Sequence, residues 1–250
     1  MRVIEDIKYG SGENDLLDCY YPDTDSYDIL IWFHGGGLEN GSRKDICFAK
    51  DLQKEGVAVV SVEYRMYPKT VFPVFIEDCA RAVKYVLDNI ATKDGAKRVF
   101  ISGQSAGAYI ALLLAVDKTY FEKAEVDQNA IAGFISDSAQ VTTHFNVLRE
   151  RGMDTRLERI DEAAPLYHLS ENSFVGNLLL IYYSDDMPCR PEQNQLFYKS
   201  MKRFCPNQHI DIVELSGGHT HGSIERNEKG TYDFNEVLLE FIGRKETSKR

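Results

Sequence analysis

Residues 98–116 read RVFISGQSAGAYIALLLAV. The apolar run 98–102 predicts a buried β-strand, and the run 106–116, rich in alanine and leucine, predicts an α-helix. The pattern Gly103-Gln104-Ser105-Ala106-Gly107 joins the two. A serine on such a sharp turn has a strained backbone, and the residues two before and two after it must be small. This context predicts that Ser105 is a nucleophile exposed at the top of a sheet.

Short apolar runs and helical patterns alternate on both sides of this unit. Further strands are predicted at 28–33, 57–62, 131–135, 177–183 and 209–215. Further helices are predicted at 46–55, 74–91, 191–203 and 234–243. Two early runs, 3–8 and 15–21, predict a leading antiparallel pair. The alternation is typical of a mostly parallel central sheet with helices on both faces. Because no linker-like segment divides the chain, we predict one α/β domain over 1–250.

The composition excludes several classes of protein. The 250 residues include 39 Asp and Glu against 29 Lys and Arg, a formal net charge of −10. Nucleic acids and anionic membranes require a basic face, so neither is an expected partner. Five cysteines without a C-x-x-C pair argue against a disulfide framework and against structural zinc. The first residues lack the apolar core of a signal peptide and no apolar run is long enough to span a membrane, which predicts a cytoplasmic protein.

The segment 138–172 fits the alternation badly. Its charged residues are Arg149, Glu150, Arg151, Asp154, Arg156, Glu158 and Arg159, among others. It follows the C-terminal end of a predicted strand, where loops of open α/β sheets build ligand sites. We therefore predict a small cap insertion at about 138–172. The alternative is a solvated loop with one helix.

A second glycine-rich unit, His34-Gly35-Gly36-Gly37, directly follows the predicted strand 28–33. Consecutive glycines let backbone N–H groups point into a cavity without side chains in the way. Acyl transfer needs such donors for the negative charge that develops on the carbonyl oxygen. The predicted oxyanion hole consists of the N–H groups of Gly36, Gly37 and Ala106. A phosphate-binding loop is the weaker interpretation, because no G-K-[ST] follows and no G-x-G-x-x-G opens a helix.

Three side chains beside these donors are candidates for substrate binding, namely His34, Leu38 and Gln104. For His34 we expect an orienting or packing role rather than that of a base. The histidines at 144, 168 and 209 belong to no motif, and packing or surface roles are expected for them.

These stretches resemble the α/β-hydrolases, and within them the esterases of the hormone-sensitive-lipase-like and kynurenine-formamidase-like groups. The matching residues are His34-Gly35-Gly36-Gly37, Val62-Glu63-Tyr64-Arg65-Met66-Tyr67-Pro68 with Phe72-Pro73 and Glu77-Asp78, and Gly103-Gln104-Ser105-Ala106-Gly107. Their order and spacing match over 28–117; beyond that, the match is to a pattern of strands and two catalytic positions. The resemblance implies an α/β-hydrolase fold and a Ser-His-Asp triad in the chain order nucleophile, acid, histidine. It requires no cofactor and no metal.

The acid is expected after the strand predicted at 177–183, where Ser184-Asp185-Asp186-Met187-Pro188 follows. The family places its acid about three residues past the end of this strand. This offset implies Asp186, whose Met-Pro continuation resembles the family's D-x-P. Asp185 is the alternative, and either residue is also a common turn former.

Two histidines compete for the role of base in Leu215-Ser216-Gly217-Gly218-His219-Thr220-His221-Gly222. His219 follows two glycines near the strand end, as in the formamidase-like branch, whereas His221-Gly222 resembles the H-G of many lipase-like esterases. We favour His219. An H-x-H pair could instead bind a metal, because alternate strand residues share a face. No acidic or cysteine ligand lies nearby in the sequence, so no metal site is predicted.

The expected reaction is hydrolysis of a small-molecule carboxylic ester through an acyl-enzyme. A short cap argues against a deep tunnel, so short acyl groups, acetyl to butyryl, on a small alcohol, sugar or aryl unit are expected. An arylformamidase is the alternative, although Gly37-Leu38 stands where that branch usually has an aromatic pair. A catalytically inactive binding module is the third interpretation. The family often forms homodimers, but no feature of this chain decides its assembly.

Overall fold

The part of the chain that the structure describes forms one eight-stranded sheet. Its strands are β1 (Arg2–Lys8), β2 (Leu16–Tyr21), β3 (Tyr27–Phe33), β4 (Val57–Val62), β5 (Ala96–Gln104), β6 (Ile131–Asp137), β7 (Asn177–Asp185) and β8 (His209–Gly218). Their order across the sheet is β1-β2-β4-β3-β5-β6-β7-β8. β2 runs antiparallel to both β1 and β4, and the pairings from β4 through β3 to β8 are parallel. The predicted mostly parallel sheet with a leading antiparallel pair is confirmed.

This computed structural model describes residues 2–171 and 173–243. The predicted domain also includes positions 1, 172 and 244–250, which lie outside the described residues. Position 172 is the last residue of the predicted cap.

Helices connect the strands. They are α1 (Ala49–Lys54), α2 (Val74–Asn89), α3 (Ala106–Val116), α4 (Lys118–Lys123), α5 (Phe145–Glu150), α6 (Arg190–Phe204), α7 (His221–Ile224) and α8 (Asp233–Gly243). The helix predicted from residue 46 begins at Ala49, because a turn buries Ile46 and Phe48 before it and packs Phe48 on Trp32, with ring centroids 4.6 Å apart. No helix in the described ranges is long and apolar enough to cross a membrane.

The core has two layers, one on each face of the sheet. Along β3, Ile31 and Phe33 face one apolar cluster, while Leu30 and Trp32 face the other. Strands of a parallel sheet that are buried on both faces read as continuous apolar runs, which is why this strand was visible in the sequence. All eleven residues of α3 are buried, so the helix after Ser105 is enclosed along its whole length.

The segment 138–172 has two parts. Residues 138–144 are buried beside the ends of the strands, whereas 151–160 are mostly exposed and carry the charged run. Between them, α5 contacts the glycine-rich loop, since Asn146 Nδ2 donates a hydrogen bond to the carbonyl of Gly37 at 2.8 Å. We call residues 138–144 the inner wall of this segment and residues 151–160 its outer loop.

Candidate active site

Ser105 lies on the turn between β5 and α3. Its backbone angles, φ 53° and ψ −110°, are strained for a residue with a side chain. A Cβ on Gly103 would lie 2.3 Å from the carbonyl carbon of Gly107, and a Cβ on Gly107 would lie 2.0 Å from the carbonyl oxygen of Phe33. Backbone this close leaves room only for glycine at both positions. The N–H of Ser105 donates to the carbonyl of Asp137 at 2.7 Å, which ties the turn to the end of β6.

The structure brings Ser105, His219 and Asp186 together just past the ends of β5, β8 and β7. His219 Nε2 lies 2.8 Å from Ser105 Oγ, and His219 Nδ1 lies 2.5 Å from Asp186 Oδ1. The imidazole therefore contacts the hydroxyl with one nitrogen and the carboxylate with the other. In this arrangement a histidine can take the serine proton while the carboxylate holds its tautomer and stabilises the imidazolium.

The two alternative residues have other surroundings. Asp185 is exposed, and its backbone pairs with Gly218 in the sheet. His221 begins α7, and its Nδ1 lies 3.6 Å from the carboxylate of Glu225. Within residues 2–171 and 173–243, none of the hydrogen bonds or ion pairs of Asp185 or His221 involves Ser105. In the same part of the chain, no group of three His, Cys, Asp or Glu side chains is placed to hold a metal ion.

The environment of Asp186 favours its ionised form. Burial of the side chain opposes ionisation, but hydrogen bonds with His219, with the Ser138 hydroxyl and with the N–H of Met187 outweigh it, so the pKa of Asp186 is lowered. Ser138 Oγ also lies 2.9 Å from His219 Nδ1. Sequence reasoning missed Ser138, because no motif marks a serine that follows a buried strand.

The oxyanion loop, residues 34–41, lies against the Ser105 turn. A Cβ on Gly35 would lie 3.5 Å from Ser105 Cβ. Within the loop, the carbonyl of Gly36 accepts a hydrogen bond of 2.9 Å from the N–H four residues on. Because the C=O and N–H of a trans peptide point in opposite directions, this bond turns the N–H of Gly37 outward from the loop.

His34 orients the peptide group between Gly35 and Gly36 in the same way. Its ring is completely buried, stacks on Tyr64 with centroids 4.3 Å apart, and places Nδ1 2.7 Å from the carbonyl of Gly35. That bond turns the N–H of Gly36 outward. On the other side, Nε2 lies 3.4 Å from the carboxylate of Glu63. His34 is a candidate for substrate binding from the sequence; in this structure its side chain is enclosed and its contacts hold the loop.

The other two candidates for substrate binding differ from each other. Leu38 is 1% exposed, and its side chain packs in the core of the protein. Gln104 is half-buried, and its Nε2 donates to Ser223 Oγ at 2.8 Å. Among the described residues, we find no protein acceptor for the N–H groups of Gly36, Gly37 and Ala106, the three predicted oxyanion donors.

A buried carboxylate lies behind the triad. Asp137 Oδ1 accepts a hydrogen bond of 2.8 Å from the Tyr183 hydroxyl, and Oδ2 accepts one of 2.5 Å from Ser223 Oγ. Complete burial raises the pKa of Asp137 to about 6 despite these hydrogen bonds. This network joins the end of β6 to α7, directly after His219. An aspartate at a strand end carries no motif, so the sequence did not reveal it.

A cavity of about 710 Å³ begins at Gln104 and the oxyanion loop. Its apolar wall includes Ile46, Phe48 and Ile224, and Lys50 lies at its border. Its size is within the range of small-molecule sites. Gly35, Gly36 and Gln104 line it, whereas Ser105 and His219 do not.

Known proteins share this sequence pattern and fold. The BD-FAE family model matches residues 17–201. Kynurenine formamidase of Danio rerio is 24% identical over 249 residues, which cover 97% of this chain and 83% of that protein. Phenmedipham hydrolase of Pseudarthrobacter oxydans is 34% identical over 110 residues, 40% of this chain and 22% of that protein.

Solved structures of esterases superpose on nearly the whole chain. Esterase B of Lactobacillus rhamnosis has a TM-score of 0.79 at 17% identity and covers 97% of this chain and 85% of its own. Thermogutta terrifontis esterase 2 has a TM-score of 0.75 at 19% identity, and the match covers 96% of this chain and 95% of that one. At these identities the likeness shows the fold, and the family match extends over well more than half of the chain. The chain therefore belongs to the BD-FAE family and, as its sequence predicted, is an α/β-hydrolase of the esterase and lipase type.

Proposed function

We propose that this chain is a serine esterase that cleaves short-chain, acetyl-like carboxylic esters of small alcohols or sugars. The observation that carries the proposal is the unbroken series of contacts from Asp186 through His219 to Ser105, at 2.5 and 2.8 Å. The outward-turned peptide N–H groups of the adjacent loop support it, since acyl transfer needs donors at this place. The hydrolase relatives and the esterase fold neighbours support ester hydrolysis as the reaction.

The first half of the reaction forms an acyl-enzyme. Ser105 Oγ attacks the ester carbonyl carbon while His219 Nε2 takes the hydroxyl proton. The carbonyl oxygen becomes an oxyanion, which the N–H groups of Gly36, Gly37 and Ala106 stabilise. The tetrahedral intermediate then collapses, the bond to the alcohol oxygen breaks, and His219 donates its proton to the leaving alcohol.

The second half hydrolyses the acyl-enzyme. A water molecule attacks the acyl carbonyl and gives a proton to His219 Nε2. The same backbone donors hold the second oxyanion. Collapse of this intermediate releases the carboxylic acid and returns the proton to Ser105 Oγ. In both halves, ionised Asp186 accepts a hydrogen bond from His219 Nδ1–H and stabilises the imidazolium.

The surroundings of Ser105 support a small substrate. Helix α5 of the segment 138–172 contacts the oxyanion loop, since Asn146 Nδ2 donates to the carbonyl of Gly37. The cavity that begins at Gln104 has room for one small group, and Phe48 and Ile46 give it an apolar wall.

The test is hydrolysis of p-nitrophenyl acetate, butyrate and octanoate by the wild type and by Ser105→Ala. We expect turnover that falls with acyl length and is lost about 10⁴-fold or more in the variant, because the nucleophile is gone. Retained turnover in Ser105→Ala would contradict the assignment of the nucleophile. A rate that rises with acyl length would contradict the short-chain preference.

A matched pair of variants tests the base. His219→Ala should lower kcat about 10³-fold or more, because no other described base contacts the nucleophile. His221→Ala should change kcat only a few-fold, since its side chain faces Glu225. Similar small effects of both changes would place the base elsewhere.

An arylformamidase is the second candidate, favoured by the match to kynurenine formamidase along nearly the whole chain. The same groups would attack an N-formyl carbonyl and protonate an amine. Formanilide serves as the probe: turnover that exceeds that of p-nitrophenyl acetate in kcat/KM would favour this reading. If neither substrate is cleaved and a fluorophosphonate fails to label Ser105, the chain is a binding module instead of an enzyme.

A further inference from the structure

Ser138 lies where the ends of three strands meet. It follows β6, and its hydroxyl hydrogen-bonds to Oδ2 of Asp186, the carboxylate oxygen that does not face His219. The same Oγ lies 2.9 Å from His219 Nδ1. One side chain therefore touches both members of the acid–base pair without touching Ser105. Ser138 is completely buried, so bulk water cannot take over its contacts.

The backbone of Ser138 is held in an unfavourable conformation. Its φ is 61°, in the left-handed region that residues with side chains rarely adopt. Its N–H donates to the carbonyl of Ile181 at 2.8 Å, and its carbonyl accepts from Arg190 Nη1 at 2.6 Å. Strain of this kind persists only where the surroundings fix it, and it is common at functional sites.

One face of α6 fixes the segment that begins with Ser138. Besides the Arg190 bond, Asn194 Nδ2 donates to the carbonyl of Ala139 at 3.0 Å, and Gln193 Oε1 accepts from the N–H of Val141 at 3.0 Å. Positions 190, 193 and 194 share a helix face, so three side chains of α6 hydrogen-bond to the backbone of residues 138–141.

Arg190 adds a positive charge to these contacts. It is 4% exposed, and burial lowers its pKa to about 10, so it stays protonated at neutral pH. Its charge acts favourably on Asp186. A buried cation is costly without compensation, and here the carbonyl of Ser138 and the negative charge of Asp186 compensate for it.

We propose that Ser138 is a positioning residue of the acid: its hydroxyl donates to Asp186 Oδ2 and fixes the carboxylate so that Oδ1 faces His219 Nδ1, while α6 fixes Ser138. This inference rests on the proposed function, because it assigns a task within the same triad. Loss of the hydroxyl leaves Oδ2 without a donor, and only Oδ1 keeps its contacts, with His219 and with the N–H of Met187. The misalignment affects proton transfer at His219, and substrate binding is unaffected.

The test compares Ser138→Ala and Ser138→Gly with Ser136→Ala. Both Ser138 variants lose the hydroxyl, but glycine also relieves the left-handed strain, so Ser138→Gly should be more stable than Ser138→Ala. Ser136 is the matched control: it lies two residues earlier on β6, is completely buried, and its hydroxyl has no hydrogen-bond partner among the described residues.

We expect both Ser138 variants to lose about 10- to 100-fold in kcat on p-nitrophenyl acetate with KM changed less than about twofold, as for loss of one hydrogen bond to a charged group. Ser136→Ala should keep wild-type kcat. A merely structural role predicts unchanged kcat for Ser138→Gly, whatever its thermal stability, and that result would overturn the proposal. A rise in KM at unchanged kcat would overturn it as well.

A double-mutant cycle separates this proposal from the proposed function. If Ser138 acts through Asp186, removing its hydroxyl from an Asp186→Ala background should lower kcat less than twofold. An undiminished loss in that background would show that Ser138 acts elsewhere. If Ser105→Ala is inactive while both Ser138 variants match the wild type, the esterase assignment stands and only the positioning role fails.

Discussion

Two buried carboxylates on neighbouring strand ends have pKa shifts of opposite sign. Asp186 has a lowered pKa, because hydrogen bonds to its charged form outweigh burial. Asp137 has a pKa raised to about 6, because complete burial outweighs its two hydrogen bonds. The difference follows from what each faces: Asp186 contacts a histidine that can carry a positive charge, whereas the partners of Asp137 are the neutral hydroxyls of Tyr183 and Ser223.

The raised pKa of Asp137 predicts a pH-dependent loss of stability. At a pH between the ordinary aspartate pKa and about 6, Asp137 is protonated in the folded state and ionised in the unfolded state. The contribution of this protonation to the free energy of unfolding is therefore complete below pH ~4 and disappears as the pH rises through about 6. Relative to the wild type, Asp137→Asn should therefore gain up to about 3 kcal/mol of unfolding free energy between pH 4 and 7. Urea unfolding of both proteins across this range measures the difference. A difference that does not change with pH would contradict the raised pKa.

At the scale of elements, the junction of β3, β5 and α3 depends on the absence of one side chain. A Cβ on Gly107 would lie 2.0 Å from the carbonyl oxygen of Phe33, 2.5 Å from its carbonyl carbon and 2.6 Å from the carbonyl oxygen of His34. These are backbone atoms of the central strand and the start of the oxyanion loop. The helix that follows Ser105 can approach β3 only because residue 107 is glycine.

Gly107→Ala should therefore cost at least about 2 kcal/mol of unfolding free energy, because the helix or the strand must move. The matched control is Gly243→Ala at the last residue of α8, where an added Cβ meets nothing within 4 Å. That change should stay within about 0.5 kcal/mol of the wild type. Urea unfolding midpoints of the two variants provide the comparison, and equal midpoints would contradict the steric account.

For the whole molecule, the sequence was informative where local sterics or burial decide the outcome. Strand β3 was visible because both of its faces are buried, and the Ser105 turn was visible because backbone contact excludes any Cβ at two fixed positions. The side-chain directions in the oxyanion loop were not visible. Leu38 has φ 64°, and after such a turn neighbouring residues in the sequence can face opposite sides. The side chain of Leu38 therefore faces the core.

Contacts between distant segments were also beyond sequence reasoning. Ser138 and Arg190 are 52 residues apart, and neither belongs to a local pattern. Their contact depends on how α6 crosses the end of β6, which the strand alternation does not specify. Similarly, the hydroxyl of Ser223 reaches Asp137 only because α7 turns back behind the triad. The motifs identified the groups proposed to react, and the side chains that hold them required the fold.

The spread of the site across the sheet makes one further prediction about the molecule. Ser105, Asp186 and His219 follow three different strands, so their geometry should persist only while the sheet is intact. Trp32 is the single tryptophan, is completely buried and packs on Phe48 and Phe234 with centroids 4.6 and 5.4 Å away, which makes its fluorescence a probe of the core. With increasing urea, esterase activity and Trp32 fluorescence should be lost at the same midpoint. Loss of activity at a lower urea concentration would mean instead that the strand ends open before the core, as a separate unit of lower stability.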